Sequence, residues 1–177
     1  VRGAPVQQRR AELVWTRVIC KQPGRYIGWP TVCLRKNGEL LAVFSGDRDA
    51  HICPFGKVQL IRSADLGETW TAAQTVCNTQ LDDRDAGILE LPNGDLVLTW
   101  FTSLAYEAQI RDRSKLTPGT PPFYWWLHNE KLPASVKEAW LGSFTERSAD
   151  GGATWEKPVR TLGSTPHGPV LLRDGRL

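Results

Sequence analysis

Two eight-residue stretches of this chain are nearly the same. Ser63-Ala64-Asp65-Leu66-Gly67-Glu68-Thr69-Trp70 recurs as Ser148-Ala149-Asp150-Gly151-Gly152-Ala153-Thr154-Trp155, each preceded by an arginine, Arg62 or Arg147. A turn motif repeated at long spacing marks an array of equivalent structural units, which narrows the fold more than composition does. The pattern S-x-D-x-G-x-T-W has a local physical logic. Ser and Asp side chains hydrogen-bond nearby backbone groups and pre-form the turn. Gly supplies a positive φ, and Thr and Trp lead into a strand. The motif therefore reads as scaffold rather than chemistry.

A second element repeats alongside the first. Thr31-Val32-Cys33-Leu34-Arg35-Lys36-Asn37-Gly38-Glu39-Leu40-Leu41-Ala42-Val43-Phe44 places Asn-Gly between two apolar runs. Gly87-Ile88-Leu89-Glu90-Leu91-Pro92-Asn93-Gly94-Asp95-Leu96-Val97-Leu98-Thr99-Trp100-Phe101 does so again, and Pro169-Val170-Leu171-Leu172-Arg173-Asp174-Gly175-Arg176-Leu177 begins a third copy. Asn-Gly and Asp-Gly between apolar runs are strong hairpin signals. The order is then strand, Asn-Gly turn, strand, loop, strand (57–62), S-x-D-x-G-x-T-W turn, strand (70–76). Four antiparallel strands in that order predict one blade of a β-propeller.

The chain is thus expected to be all-β, with about two and a half four-stranded blades. Blade one spans 30–77, blade two 86–162 with an insertion at 103–142, and blade three starts at 168–177. Residues 1–29 form a lead-in, in which 12–20 could be a closing strand. Within the insertion, Pro118, Pro121 and Pro122 are expected to break structure, and 133–141 to form a short helix. Propellers typically have four to eight blades, so the remaining blades are expected from missing sequence. The start at Val1, the absence of Met and the stop inside an apparent strand also read as a piece of a longer polypeptide.

Composition sets outer limits. Hydrophobic residues make up 41% and charged residues 23% of 177, a globular pattern. A net charge of +3 with scattered Lys and Arg speaks against nucleic acid, and no apolar run approaches the ~20 residues of a membrane span. Cys20, Cys33, Cys53 and Cys77 lack C-x-x-C spacing, so no metal and no cofactor are expected. Their even number permits two disulfides, although Cys33 equally suits a strand core. A secreted or periplasmic location is favoured over the cytoplasm.

Parity places the polar clusters. If strands alternate direction, the Asn-Gly and S-x-D-x-G-x-T-W turns share one end of each blade. The opposite end then gathers Tyr26-Ile27-Gly28-Trp29-Pro30, the loop Gly46-Asp47-Arg48-Asp49-Ala50-His51, the link Leu81-Asp82-Asp83-Arg84-Asp85-Ala86-Gly87 and the link Thr165-Pro166-His167-Gly168-Pro169. The insertion, with Phe123-Tyr124-Trp125-Trp126-Leu127, joins them. Loops on a rigid scaffold are where sites are usually built.

The S-x-D-x-G-x-T-W turn resembles the Asp box, or bacterial neuraminidase repeat, of the sialidase (neuraminidase) superfamily, and the likeness covers most of residues 26–177. The resemblance implies a propeller that is six-bladed in the parent. It also implies that the loop after residues 40–44 carries the acid/base carboxyl, making Asp49 the catalytic candidate and Asp47 its rival. Sialidases open blade one with an aromatic-Arg-Ile-Pro motif whose Arg grips the substrate carboxylate. Here Ile27-Gly28-Trp29-Pro30 has Gly28 at that place, with Arg25 and Arg48 nearby.

The leading expectation is a sialidase-like glycoside hydrolase acting on a terminal, possibly acidic, sugar. Asp49 would donate the proton and Asp85 or Asp83 would supply a supporting carboxylate. Trp29, Trp125 and Trp126 would stack on sugar faces, while Arg48, Arg84, His51 and His167 would bind polar or acidic substituents. Two alternatives stand beside it: a non-catalytic carbohydrate-binding propeller, and a lyase-like propeller using His51 or His167 as base.

Overall fold

The computed structural model describes residues 11–163 and 167–177. Its first sheet is β1 (Tyr26–Leu34), β2 (Leu40–Arg48), β3 (Lys57–Ser63) and β4 (Gln74–Cys77), antiparallel in that order. The second repeats the plan with β5 (Asp82–Glu90), β6 (Leu96–Ser103), β7 (Ser143–Ser148) and β8 (Val159–Thr161). Two consecutive four-stranded antiparallel sheets of this kind fit neighbouring blades of a partial propeller.

The hairpin turns form where Asn-Gly predicts them. Gly38 (φ 88°) donates its N–H to the Arg35 carbonyl at 3.0 Å, and Gly94 (φ 92°) does the same to Leu91 at 3.0 Å. Residues 172–176 close a third such turn, with Gly175 donating to Leu172 at 3.0 Å, although no strand flanks it among the described residues.

The two S-x-D-x-G-x-T-W corners are built alike. The Ser63 hydroxyl donates to Asp65 at 2.7 Å and accepts the Gly67 N–H at 2.8 Å. Asp65 accepts from the Thr69 N–H and hydroxyl at 2.8 and 2.5 Å. Ser148, Asp150, Gly152 and Thr154 reproduce every one of these bonds.

The main core lies between the sheets. Leu41, Val43, Val58 and Leu60 of the first pack against Ala86, Ile88, Leu96, Leu98, Trp100 and Phe144 of the second. The alternate residues Ala42, Phe44 and Ile61 line the other face of the first sheet, as a period of two requires. Cys20, Ile27, Trp70 and Ala73 pack against that face. Residues 11–25 contain no strand, so the expected closing strand at 12–20 is absent. All four cysteines are free thiols.

Several boundaries depart from the sequence reading. The fourth strand starts at Gln74 rather than at residue 70. Strand β1 begins at Tyr26 and β5 at Asp82, so both presumed links are the first halves of strands. The insertion is helical, with α1 (Glu107–Ile110), a 3₁₀ turn at Arg113–Lys115, α2 (Pro121–Lys131) and α3 (Ala134–Trp140). Pro121 and Pro122 do not break α2 but start it, because the first turn has no use for their missing N–H groups. Tyr106, Ile110 and Trp125 bury against Cys53, Ala50, Ile52 and Phe55, which clamps the insertion onto the loop after β2.

Candidate functional site

The parity of the strands holds. At the turn end, Arg35 pairs with Glu39 and, at 3.2 Å, with Glu90 of the next sheet, and it lies against Gly151 of the second corner. At the other end stand the starts of β1 and β5, the end of β2 and the loop that follows it.

Both first strands carry the same irregularity at this rim. Gly28 pairs with Ser45 and Thr31 with Val43, so three steps on β1 match two on β2. Arg84 pairs with Phe101 and Gly87 with Thr99 in the same way. Each extra residue is left-handed: Trp29 at φ 55° and Asp85 at φ 49°. His167 (φ 68°) adopts that conformation before Gly168, which packs against Gly87 and Thr31. A non-glycine residue held there costs about 1–3 kcal/mol, and such residues cluster at ligand clamps and active sites. The strained positions carry an indole, a carboxylate and an imidazole.

Trp29 is the hub. Its ring lies 4.5 Å from the Arg84 guanidinium carbon, 5.1 Å from that of Arg48 and 4.8 Å from the His51 ring. Tyr26 is 5.8 Å from it, and the Tyr26 hydroxyl meets His51 Nδ1 at 3.3 Å. Cation–π contacts of this kind hold the indole in place. Tyr26, His51 and His167 are exposed and Trp29 is half-buried.

Asp49 lies on the loop after β2, two residues before His51. Arg25 Nη1 donates to its Oδ1 and Trp125 Nε1 donates to its Oδ2 at 2.7 Å, leaving the side chain 16% exposed. Asp47 (φ 52°) is gripped by Arg25 at 2.8 Å and by Lys57. Burial alone would raise its pKa, but Lys57 and Arg25 outweigh burial and hold the carboxyl below the usual range. That environment suits a permanent anion rather than a proton donor.

Three candidates are buried. Arg48 is fully buried and donates to the carbonyls of Ala50, His51 and Asp83 and to the Asp82 carboxylate at 3.0 Å. It ties the loop after β2 to β5 instead of binding substrate. Asp83 is also fully buried; burial pushes it up to about 7, although Thr79 donates to it from N–H at 2.6 Å and hydroxyl at 3.0 Å. Trp125 is 2% exposed, so its ring is core and only its N–H serves Asp49. Trp126 packs on Phe123 and under Arg113, within the insertion.

Arg84 and Asp85 stand at the rim and are largely buried. The Arg84 side chain is 11% exposed, 3.7 Å from Asp82, and its Nε has no partner among the described residues. Asp85 Oδ1 is likewise unpartnered. The sequence reading missed Lys57 and His128, which accompany Arg25 and Asp47 around a neighbouring cavity of about 450 Å³. Lys57 opens a strand, where a cation usually means a solvated edge, and nothing local signals its reach to Asp47. Among the described residues no helix is long and apolar enough to cross a membrane, and no cluster of three His, Cys, Asp or Glu is placed to hold a metal ion.

No protein-family model matches the chain, and no curated protein does. Among solved structures it is similar to a protein of unknown function from Dyadobacter fermentans DSM 18053, at 21% identity and a TM-score of 0.55, over 80% of this chain and 38% of that one. It also aligns with the Hadza microbial sialidase Hz136 (16% identity, TM-score 0.48, 76% of this chain and 25% of that one). A polysaccharide lyase of family PL25, an ulvan lyase, aligns at 14% identity and a TM-score of 0.40, over 75% of this chain and 24% of that one. The chain therefore spans 38% or less of these proteins, and identities this low concern the fold alone.

Proposed function

We propose that the rim around Trp29 is the sugar-binding part of a glycoside-hydrolase site, with Asp49 as the proton-transferring carboxyl. The observation that carries this reading is the Trp29 indole, held left-handed against two guanidinium groups and the imidazole of His51, two residues after Asp49 in the chain. An aromatic face stacks on the apolar side of a pyranose. Arg84, whose guanidinium carbon lies 4.5 Å from the Trp29 ring, is the cation proposed to meet a hydroxyl or carboxylate substituent. Asp85, on the adjacent bulge, is the second carboxylate that glycoside hydrolysis needs. Arg25 and Trp125 fix the Asp49 carboxyl, as general acid–base transfer requires of a group that must reach one oxygen. Gly28 leaves the substrate-carboxylate grip of sialidases unfilled, so the terminal sugar is proposed without committing to sialic acid.

A second reading rests on the Tyr26–His51 pair. A tyrosine hydroxyl against an imidazole can remove the proton beside a uronate carboxylate and return one to the leaving oxygen, giving elimination instead of hydrolysis. One experiment on the full-length protein separates the two. Hydrolysis predicts that Asp49→Asn lowers turnover of a chromogenic glycoside at least ~100-fold while His51→Gln leaves most of it. Elimination predicts the reverse, with a product that absorbs in the near ultraviolet. Unchanged turnover in both variants refutes both readings.

A further inference from the structure

A second cavity, of about 620 Å³, opens between the sheets away from the Trp29 rim. It is lined by β4 and the residues after it (74–80), by Trp140 at the end of α3, by Glu146 on β7 and by residues 153–158. None of the rim residues contributes to it. Its chemistry is unusual for a gap between blades. Glu146 is 6% exposed, yet its Oε1 has no hydrogen-bond partner among the described residues. The Trp155 Nε1–H, also in the lining, is buried and equally unpartnered. A buried polar atom without a partner is uncommon in a native interior and calls for a specific reason.

We propose that this inter-sheet cavity binds a small organic ammonium ion, with Glu146 as counter-charge and the Trp140 and Trp155 rings as walls. The carboxylate lacks a cation among its described neighbours, and two indole faces are the preferred surround for a positive charge. The surrounding charges agree. Asp83, also buried and without an ion pair among the described residues, adds to the negative potential at Glu146, and Cys77 lines the same cavity. Glu156 and Lys157 line the same cavity. Burial, reinforced by Asp83, pushes Glu146 up to about 7. The ionised form, which the cation needs, is thus incomplete below neutrality and nearly complete at pH 8. The site would be a ligand pocket separate from catalysis, and its fate is independent of the proposal for the rim.

The test uses the full-length protein and a matched pair of probes. Choline keeps its charge at every pH, and 3,3-dimethylbutan-1-ol has the same shape without the charge. Titration calorimetry and tryptophan fluorescence should show saturable choline binding at pH 8, at least ten-fold weaker for the neutral alcohol. Affinity should fall about ten-fold between pH 8 and pH 6, as Glu146 takes up its proton. Glu146→Gln, which keeps the shape, should lower choline affinity at least ten-fold while leaving the thermal transition in place. Three results would each overturn the proposal: no choline binding, equal binding of the alcohol, or unchanged choline affinity in Glu146→Gln.

Discussion

At the turn end of the blades, Asp65 and Asp150 stand in water with Ser, Thr and backbone donors around each carboxylate. At the rim, Arg48, Asp82 and Asp83 have no solvent exposure at all, and Arg84 and Asp85 keep unpartnered atoms. Both ends are rich in aspartate, but they use it differently. The turn carboxylates are stabilised by bonds within five residues, whereas Asp82 at the rim depends on Arg48, 34 residues away, and Asp85 keeps an oxygen without a partner. Local satisfaction makes a repeatable corner. Long-range, incomplete satisfaction makes a surface that can still exchange partners.

The largest expected effect comes from removing Arg48. Arg48→Met keeps the volume but leaves Asp82 as a buried carboxylate whose main partner is gone, a situation that costs about 3–5 kcal/mol. The replacement also strands the carbonyls of Ala50, His51 and Asp83. Urea denaturation of the full-length protein would measure it. A loss below ~1 kcal/mol, the scale of an exposed ion pair, would show that the rim is no more demanding than the surface.

The next effect is in pH. Asp83 and Glu146 are both pushed up to about 7 by burial, whereas an unfolded carboxyl titrates near ~4. Between those values the folded state holds more protons, so stability falls as pH rises from about 4 to about 7, by at most ~1.4 kcal/mol per pH unit for each group. Asp65 behaves in the opposite way. Hydrogen bonds from the Thr69 hydroxyl, the Thr69 N–H and Ser63 hold it down to about 2, so its contribution is complete above about 4 and is lost as pH falls toward 2. The buried carboxylates Asp83 and Glu146 and the corner carboxylate Asp65 therefore titrate in opposite directions, with a stability maximum near pH 4 to 5. Asp83→Asn should flatten the limb above pH 5, while an unaltered limb would remove the buried carboxylates as its cause. Asp65→Asn should erase part of the acid limb and leave the neutral one untouched.

The same contrast decides what could be read from the sequence. The corners were legible because Ser63, Asp65, Gly67 and Thr69 make their bonds to one another, and so were the Asn-Gly hairpins. The apolar run from Leu40 to Phe44 was legible as a strand, although its division into two faces was not read from it. The rim was legible as a place but not in its parts. Asp82, Asp83, Arg84 and Asp85 read as a link between blades, yet they form the start of β5. Their burial depends on Arg48, 34 residues earlier, and pairing at that distance leaves no local signature. Trp125 read as a sugar platform because it lies in an aromatic run. Its helix turns it toward Cys53 and Asp49, which a run of aromatics cannot reveal.

The smallest expected effect runs the other way. Asp85 combines a left-handed backbone, 8% exposure and an Oδ1 without a partner among the described residues. Asp85→Gly removes both the steric cost of φ 49° and the buried carboxylate. Against this, glycine loosens the unfolded chain and typically lowers stability by ~0.5–1 kcal/mol. Strain of about 1–3 kcal/mol outweighs that loss, so the variant should be more stable by about 1 kcal/mol in the same urea titration. If Asp85 is also the second carboxylate of the sugar site, the more stable protein should turn over its glycoside far more slowly. Stability gained with activity kept would make the bulge a structural detail. Stability lost would mean that Asp85 has a partner that outweighs its strained backbone, and the contrast between the two ends would narrow to Arg48 and Asp82 alone.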